Sequence, residues 1–303
     1  MPPDRTLKHI FSIDDFQQTD IEAILNDAAM LEASPHLLPK MQNKLVGLCF
    51  FQESTRTRIG FEAACKRLGG DTLNLDGVKG IYRAPVNESV EDTIRVVSGF
   101  CDLIIIRHPD TQVLKQAISA AIVPTINAGS GFDHLPVQAL IDLYHIQKKF
   151  GRIWGLRIGI VGDLLTSRSA KSLIRALRHW PPTELRLMAP AGRQIPESYL
   201  ADIDQTTITT HEKLVPEGLE ILYVAGLPNP EGLPPFSRET RQNLNVCSRH
   251  LDTMPDHGIV MCPLPRIDEI ALEVDKSPKA NFFQQSDGGI WVRMALFNWM
   301  LNE

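Results

Sequence analysis

Short apolar runs alternate with amphipathic segments along the chain, and this alternation predicts its secondary structure. Residues 45–51 form an apolar run rich in strand-forming residues, which predicts a buried strand. Residues 59–68 place apolar side chains along one side of a helix, which ends at Gly69 and Gly70. Residues 71–75 predict a second short strand. The order strand, helix, strand indicates a parallel sheet.

The same alternation continues to the end of the chain. A helix through residues 21–31 follows a polar cap that includes Ser12 and Thr19. Further strands are predicted within residues 102–109, 121–127, 156–163, 184–190, 219–224 and 258–266, and further helices within residues 90–100, 138–150, 167–177 and 288–301. We expect an α/β protein of two doubly wound, mostly parallel-sheet domains with an interdomain cleft. The first domain takes residues 1–140 and a returning helix at 288–303, and the second takes residues 141–287.

Hydroxyl and guanidinium groups meet at the first strand-to-helix junction, in Ser54, Thr55, Arg56, Thr57 and Arg58. A helix N-terminus has unpaired N–H groups and the positive end of the helix dipole, so it favours an anion. Arginine adds a planar fork that matches phosphate oxygens. These residues therefore predict a phosphate site. The alternative is a polar N-cap followed by a solvated turn.

This motif, followed by the matching residues 61–62 and 66–70, resembles the carbamoyl phosphate signature of the aspartate and ornithine carbamoyltransferases. The resemblance extends from near the N-terminus to the last helix, and the later motifs are closer to the aspartate branch. It implies that four residues bind the phosphate of carbamoyl phosphate: Ser54, Thr55, Arg56 and Thr57. Among them, Thr57 is expected to take part in catalysis.

The strand at residues 102–107 ends in Arg107, His108 and Pro109. Ligands of open α/β sheets bind at the carboxyl ends of strands, so Arg107 lies where chemistry is expected. A charged residue in that position is otherwise a surface cap. The resemblance implies that Arg107 contacts the carbonyl oxygen and the phosphate of carbamoyl phosphate, and that His108 is structural.

The segment from Asn127 to Gln138 is similar to the family pattern Asn-Ala-Gly-x-Gly-x-x-x-His-Pro-Thr-Gln. Gln138 is in register, and its amide suits recognition of the carbamoyl NH2 group. Leu135 and Val137 occupy the His and Thr positions. His134 lies one residue early, where it either reaches the substrate carbonyl or packs against the protein.

The second half contains two further motifs that resemble the family. In the first, a Val-Gly-Asp strand end precedes Arg168, which the resemblance assigns to the α-carboxylate of aspartate. The alternative is an arginine that faces solvent at the start of a helix. The second motif has Cys262 where the family has His, and it implies that the backbone carbonyls of Leu264 and Pro265 orient the attacking amine. The glycines of residues 156–163 do not form the G-x-G-x-x-G fingerprint of dinucleotide-binding proteins.

Several family site positions carry other residues in this chain. The loop at residues 76–88 is followed by a well-matched tail, which sets the register and places Tyr82 and Val86 at the positions of the Ser and Lys that the family shares between subunits. Lys79 and Arg83 are cations near the missing lysine, but they are out of register with it. The alternative to an active-site role for this loop is an ordinary surface loop. Gly226 stands at the position of the arginine that grips the β-carboxylate of aspartate.

Composition bounds the class of protein. The 303 residues are 43% hydrophobic and 22% charged, as in ordinary globular proteins. A net charge of −5 without a basic tract argues against nucleic acid as a partner. The five cysteines form no C-x-x-C pair, which indicates reduced thiols in a cytoplasmic protein and neither a disulfide frame nor a metal site. We expect no signal peptide, no membrane span and no cofactor.

The resemblance implies carbamoyl transfer from carbamoyl phosphate to an amino-acid amine, with aspartate first and pyrimidine biosynthesis as the context. Such a reaction needs donors and cations where charge develops, together with two substrates in contact. Two other hypotheses stay open: a different amine acceptor, and a weak or inactive homologue with a binding or assembly role. A homotrimer is expected by analogy, and the question of a regulatory or dihydroorotase-like subunit is left open.

Overall fold

A computed structural model describes residues 7–35, 41–76, 88–228 and 233–301. The chain divides into two compact units, one of Met1–Leu140 with Gly289–Glu303 and one of Ile141–Gly288. In the part of the chain that is described, each unit has one five-stranded sheet in which all strand pairings are parallel. The predicted α/β class with parallel sheets is therefore confirmed.

The sheet of the first unit contains β1 (His9–Ile10), β2 (Leu45–Phe50), β3 (Asp71–Asp76), β4 (Leu103–His108) and β5 (Thr125–Ser130). The strands lie in the order β1-β5-β4-β2-β3. From β2 the chain passes first to β3 on one side and later to β4 on the other, so its direction across the sheet reverses between β2 and β4. Ligands of open parallel sheets bind at the carboxyl ends of strands beside such a reversal.

Helices connect and cover these strands: α1 (Gln18–Ala33), α2 (Thr55–Arg67), α3 (Val90–Val97), α4 (Thr111–Ala120), the start of α5 (Pro136–Phe150) and the end of α9 (Phe282–Leu301). Phe61 of α2 is fully buried and packs against Phe297 of α9, with ring centroids 5.8 Å apart. The apolar residues of β4 are also fully buried. This core holds α2 against the rest of the unit.

The sheet of the second unit contains β6 (Arg157–Gly162), β7 (Glu184–Met188), β8 (Ile208–His211), β9 (Ile221–Gly226) and β10 (Ile259–Met261). Its helices include α6 (Arg168–Leu177), α7 (Arg238–Leu244) and α8 (Ser248–Leu251). The strand order is β10-β9-β6-β7-β8, so this sheet reverses between β6 and β9. Both units thus follow the same winding rule.

Element positions differ from the sequence expectation in a few places. Helix α2 begins at Thr55, four residues before its apolar pattern, because its first turn is polar. Ser12 caps a short 3-10 turn, and α1 begins only at Gln18. The elements that the pattern did not predict are β1, β8, α4, α7 and α8, most of them too short to show a period.

The closing helix α9 begins at Phe282, before the predicted start at residue 288. Gly288 therefore lies inside the helix, where glycine is usually unfavourable. A Cβ built on Gly288 would lie 3.2 Å from the ring of Tyr144. Close packing against an aromatic ring explains why glycine is accepted there.

A buried polar network joins three elements of the second unit, α5, β9 and α9, to the chain directly after β10. Asp142 of α5 is fully buried, and it accepts hydrogen bonds from the Tyr223 hydroxyl at 2.8 Å and from Gln285 Nε2 at 2.6 Å. Gln285 Oε1 in turn accepts the N–H of Cys262 at 2.8 Å. Burial, and then the charge of Asp142, raise the pKa of Tyr223 well above its ordinary value, so the phenol keeps its proton. The network fixes the chain directly after β10.

We predict that Gln285→Glu makes stability depend on pH. A second carboxyl in contact with Asp142 cannot ionise freely, so the pair binds a proton in the folded state with a raised pKa. The folded chain then holds more protons than the unfolded chain at neutral pH, and stability falls as pH rises. The variant should lose about 1–2 kcal/mol more at pH 8 than at pH 5, measured by urea denaturation.

The control is Gln284→Glu, because Gln284 is the exposed neighbour of Gln285 on the same helix. It adds the same charge without touching Asp142. Equal losses at both pH values, or equal behaviour of the two variants, would contradict the proposed network.

Candidate active site

The turn between β2 and α2 presents an anion-binding arrangement. Ser54 is the extended N-cap of α2, and its side chain makes no capping hydrogen bond. Helix geometry leaves the first N–H groups, those of Thr55, Arg56 and Thr57, without carbonyl partners inside the helix. The first turn contains no acidic residue but does contain Arg56 and Arg58. Cations at this end oppose the helix dipole, so their presence favours a bound anion.

Arg107 lies at the same edge of the sheet. Its position in β4 pairs in register with Phe50, the last residue of β2, and the N–H of Phe51 donates to Arg107 O at 2.8 Å. The Arg107 side chain is 7% exposed, and Nη1 donates to the carbonyl of Ala128 at 3.1 Å. The alternative of a solvated surface cap is therefore wrong, because a cap would face solvent.

Gly129 makes room for this guanidinium. A Cβ built at position 129 would lie 2.7 Å from Arg107 Nη1, and the φ of +127° also favours glycine. The same Cβ would lie 3.3 Å from Leu135 Cδ1. Leu135, which the resemblance places at the family His position, and the Arg107 guanidinium therefore both border the space that Gly129 leaves open.

Three residues close to Leu135 in sequence, His134, Val137 and Gln138, differ in burial and contacts. The backbone of His134 bonds to Ser130, and its ring packs on Phe11 with centroids 4.7 Å apart. Val137 is buried at 3% exposure, while Gln138 is half-buried in the first turn of α5. A packing contact of His134 is thus present, and its contact with substrate stays a prediction.

The reversal in the second sheet brings two glycines together. Gly162 ends β6 with φ +140°, and a Cβ there would lie 2.4 Å from the carbonyl oxygen of Gly226 at the end of β9. Asp163 follows, fully buried, and accepts hydrogen bonds from Thr166 Oγ1 at 2.7 Å and Arg193 Nη1 at 3.1 Å. This edge is therefore closely packed and fixed by a buried ion pair.

Arg168 is the first residue of α6, at the carboxyl edge of β6. Ser167 caps this helix, because its Oγ accepts the N–H of Ala170 at 3.3 Å. Arg168 is half-buried, and this burial lowers the pKa of its guanidinium. A helix-start arginine that simply faces solvent would not be desolvated in this way.

The carboxylate of Glu269 lies next to position 226. The φ of Gly226 is +88°, and a Cβ there would lie 3.2 Å from Glu269 Oε1. Glu269 is 3% exposed, and its other oxygen accepts the N–H groups of Ile267 and Asp268, both at 3.0 Å. The site of the family arginine thus combines a conformation that favours glycine with a buried negative group.

Two arginines near this edge were not expected from the sequence. The guanidinium carbons of Arg193 and Arg241 lie 4.9 and 5.8 Å from the ring centroid of Phe236. Arg241 Nη2 donates to the carbonyl of Leu227 at 2.9 Å. No local sequence signal marks either residue, because each belongs to a segment without a family motif or a predicted helix.

The loop after β10 holds Leu264 and Pro265. Leu264 has φ +55°, a conformation that few residues other than glycine adopt and that is common in functional loops. Its N–H donates to Cys262 Sγ at 3.4 Å, and burial raises the pKa of Cys262 to about 12. The protonated thiol and the Asp142 network thus fix the backbone that the resemblance assigns to the amine.

Some expectations cannot be located. Tyr82, Val86, Lys79 and Arg83 lie outside the described residues. Within the described ranges, no group of three or more His, Cys, Asp or Glu side chains is arranged to hold a metal ion. No helix in those ranges has both the length and the apolar character needed to cross a membrane. All five cysteines are free thiols.

Comparison with known proteins gives full-length matches. Residues 8–148 match the family model described as aspartate/ornithine carbamoyltransferase, carbamoyl-P binding domain, and residues 154–300 match the Asp/Orn binding domain of the same family. The aspartate carbamoyltransferase catalytic subunit of Archaeoglobus fulgidus is 38% identical, over 96% of this chain and 98% of that relative. The corresponding subunit of Methanocaldococcus jannaschii is 34% identical, over 98% and 99%.

Solved structures agree with these sequence matches. The catalytic subunit of M. jannaschii aspartate transcarbamoylase superposes with a TM-score of 0.85 at 33% identity, covering 97% of this chain and 98% of that one. Trypanosoma cruzi aspartate transcarbamoylase in complex with N-(phosphonacetyl)-L-aspartic acid superposes with a TM-score of 0.85 at 29% sequence identity. The match covers 99% of this chain and 97% of that one. The resemblance predicted from the motifs is confirmed, and the chain belongs to the aspartate/ornithine carbamoyltransferase family.

Proposed function

We propose that this chain transfers the carbamoyl group of carbamoyl phosphate to the amine of L-aspartate, giving N-carbamoyl-L-aspartate and phosphate. One observation carries the proposal: the anion-binding turn of α2 and the buried Arg107 lie beside each other at the reversal of the first sheet. The aspartate carbamoyltransferases that match the chain over nearly its full length support the choice of reaction.

Residues of the first unit hold the carbamoyl donor in this proposal. The phosphate takes hydrogen bonds from the hydroxyls and N–H groups of the turn and from a guanidinium: Ser54, Thr55, Arg56 and Thr57. Arg107 points its donors at the carbonyl oxygen, where negative charge builds up during the reaction. The amide of Gln138 binds the carbamoyl NH2 group, and His134 is the candidate for a further donor to the carbonyl.

Residues of the second unit hold the acceptor. Arg168 pairs with the α-carboxylate of aspartate, and its partly desolvated guanidinium strengthens that pairing. The carbonyls of Leu264 and Pro265 accept hydrogen bonds from the amine and so orient its lone pair. Because Leu264 is held by Cys262 and the Asp142 network, this orientation is fixed before the substrate binds.

The reaction is a direct displacement at the carbonyl carbon. The amine lone pair forms the new N–C bond, and a tetrahedral intermediate carries negative charge on the former carbonyl oxygen. The C–O bond to phosphate then breaks, phosphate leaves with the electron pair, and the nitrogen loses a proton to the departing phosphate. Preorganised donors at the oxyanion and the phosphate lower the barrier without a covalent enzyme intermediate.

The finer context is also part of the proposal. Pyrimidine biosynthesis is the role that the family implies, and a homotrimer follows by analogy with that family. A cytoplasmic location is supported by the five free thiols, since disulfides are rare in reducing compartments.

We predict that Arg107→Gln and Arg56→Ala each lower kcat/KM for carbamoyl phosphate by about a hundredfold or more. Loss of one preorganised donor to a developing oxyanion commonly costs that much. Production of carbamoyl aspartate by the purified chain gives the measurement. The control is Arg95→Gln, an exposed arginine of α3 that removes the same charge. Wild-type activity in both site variants would contradict the roles assigned to them.

A second candidate is transfer to a different amine. The Gly226–Glu269 arrangement favours it, because glycine at position 226 offers no cation to the second carboxylate of aspartate, and the buried carboxylate of Glu269 lies next to that position. A dicarboxylate acceptor needs a positive partner that compensates for this charge.

Paired assays with aspartate and asparagine separate the two candidates. If the chain is an aspartate carbamoyltransferase, kcat/KM for aspartate should exceed that for asparagine by about a hundredfold, since a charge-reading site rejects a neutral isostere. Equal rates, or turnover only with another amine in a wider panel, would support the second candidate. Stabilisation by carbamoyl phosphate without any turnover would indicate a binding protein.

A further inference from the structure

Arg293 of α9 is a charged side chain that the proposed reaction does not use. Its Nε is sealed from solvent and has no hydrogen-bond partner, while Nη1 donates to the carbonyl of Gly289 at 2.9 Å. Burial lowers the pKa of Arg293 to about 10. Within the described part of the chain, no carboxylate pairs with this guanidinium.

An enclosed cation without a counter-charge is unfavourable, because desolvation is not offset by pairing. Among the described residues, the compensation besides Gly289 comes from the ring of Phe61 on α2, whose centroid lies 5.4 Å from Arg293 Cζ. A cation–π contact of this kind offsets part of the cost. The remaining positive potential is therefore available to a negative group nearby.

Gly60 of α2 receives the guanidinium. A Cβ built on Gly60 would lie 2.7 Å from Arg293 Cζ, 2.9 Å from Nη1 and 3.0 Å from Nε. Glycine is unfavourable inside a helix, so its presence here needs a reason. The reason is the notch that it leaves, which lets the guanidinium lie directly against the helix backbone.

This notch is close to the anion-binding turn. Gly60 follows Thr57 by three residues, which is about 4.5 Å along the helix axis, and residues 56 and 57 share its face of α2. The side chain of Arg293 leans toward Gly289, the N-terminal direction of its own helix, as helical side chains do. The charge of Arg293 is thus placed about one helical turn from the unpaired N–H groups.

We propose that Arg293 is a positioning residue for the phosphate of carbamoyl phosphate. Its charge lies against Gly60, about one helical turn from the N–H groups at the start of α2. There it favours the dianionic form of the bound phosphate. The contact in the Gly60 notch also holds the helix in place. The inference rests on the proposed function, because it takes the phosphate to bind at Thr55, Arg56 and Thr57. Arg293 does not touch the ligand; it acts through α2.

The test compares inorganic phosphate binding in four variants. Arg293→Met removes the charge at similar length, Arg293→Lys keeps it, and Gly60→Ala fills the notch and displaces the guanidinium. Arg67→Met removes an exposed charge at the other end of the same helix, and it serves as the matched control. Phosphate affinity is measured by titration calorimetry, and the pKa of the bound phosphate by phosphorus NMR.

Arg293→Met should weaken phosphate binding at pH 8 by about tenfold and raise the pKa of the bound phosphate by about one unit, since the two changes report the same lost charge. Arg293→Lys should fall between Arg293→Met and wild type, because an ammonium group loses the planar contact with Phe61 and gives up its proton more readily when buried, and Gly60→Ala should also fall in between. Arg67→Met should change neither quantity. KM should rise for carbamoyl phosphate and stay unchanged for aspartate, a split that a general loss of structure would not produce.

Failure of the inference and failure of the proposed function give different results. If phosphate binds wild type and is lost in Arg56→Ala, but Arg293→Met keeps both the affinity and the bound-phosphate pKa, then only the role of Arg293 is overturned. An equal loss in Arg67→Met would also overturn it. If the wild-type chain binds no phosphate, both the role of Arg293 and the proposed function are overturned. If Arg293→Met does not fold, Gly60→Ala decides: wild-type values in that variant overturn the inference.

Discussion

The N–H groups at the start of α2, which have no carbonyl partners inside the helix, are the feature on which the proposed donor site depends. The parallel sheet reverses direction between β2 and β4, so the end of β2 and Arg107 at the end of β4 lie in register. Backbone topology therefore sets the relative position of the two elements to which the proposal assigns carbamoyl phosphate, although they are far apart in sequence. Gly129 then removes the one atom that would block the Arg107 guanidinium.

The second unit repeats this winding but fills the equivalent edge differently. Gly162 and Gly226 approach so closely that side chains are excluded, and buried Asp163 and Glu269 carry the negative charge there. Arg193 pairs with Asp163 at that edge, and Arg168 is a further cation there that is partly desolvated. The phosphate-binding turn and Arg107 of the donor half thus follow the family motif, with Leu135 and Val137 as departures, while the acceptor half departs from the motif at the position that reads the second carboxylate.

Sequence patterns located much of this arrangement because the relevant signals are local. The apolar run of β2, the hydroxyl and guanidinium cluster after it, and Arg107 at a strand end can each be recognised within a short window. The same holds for Arg168 at the start of α6. Parallel sheets followed from the alternation of strands and helices, which a single chain displays directly.

The features that escaped prediction depend on contacts between distant segments. The Gly60 notch has meaning only once Arg293 is placed against it, and no window of sequence contains both. The partners of Asp142, Tyr223 and Gln285, come from different elements in the same way. Leu135 could be identified from the sequence as a departure from the motif, but its place at the space beside Gly129 could not be.

A crystal structure of the chain with carbamoyl phosphate tests the central claim most directly. The account predicts that the phosphate accepts hydrogen bonds from the N–H groups of Thr55, Arg56 and Thr57, with the Arg107 guanidinium against the carbonyl oxygen. A ligand bound elsewhere, while the start of α2 holds only solvent, would contradict the account.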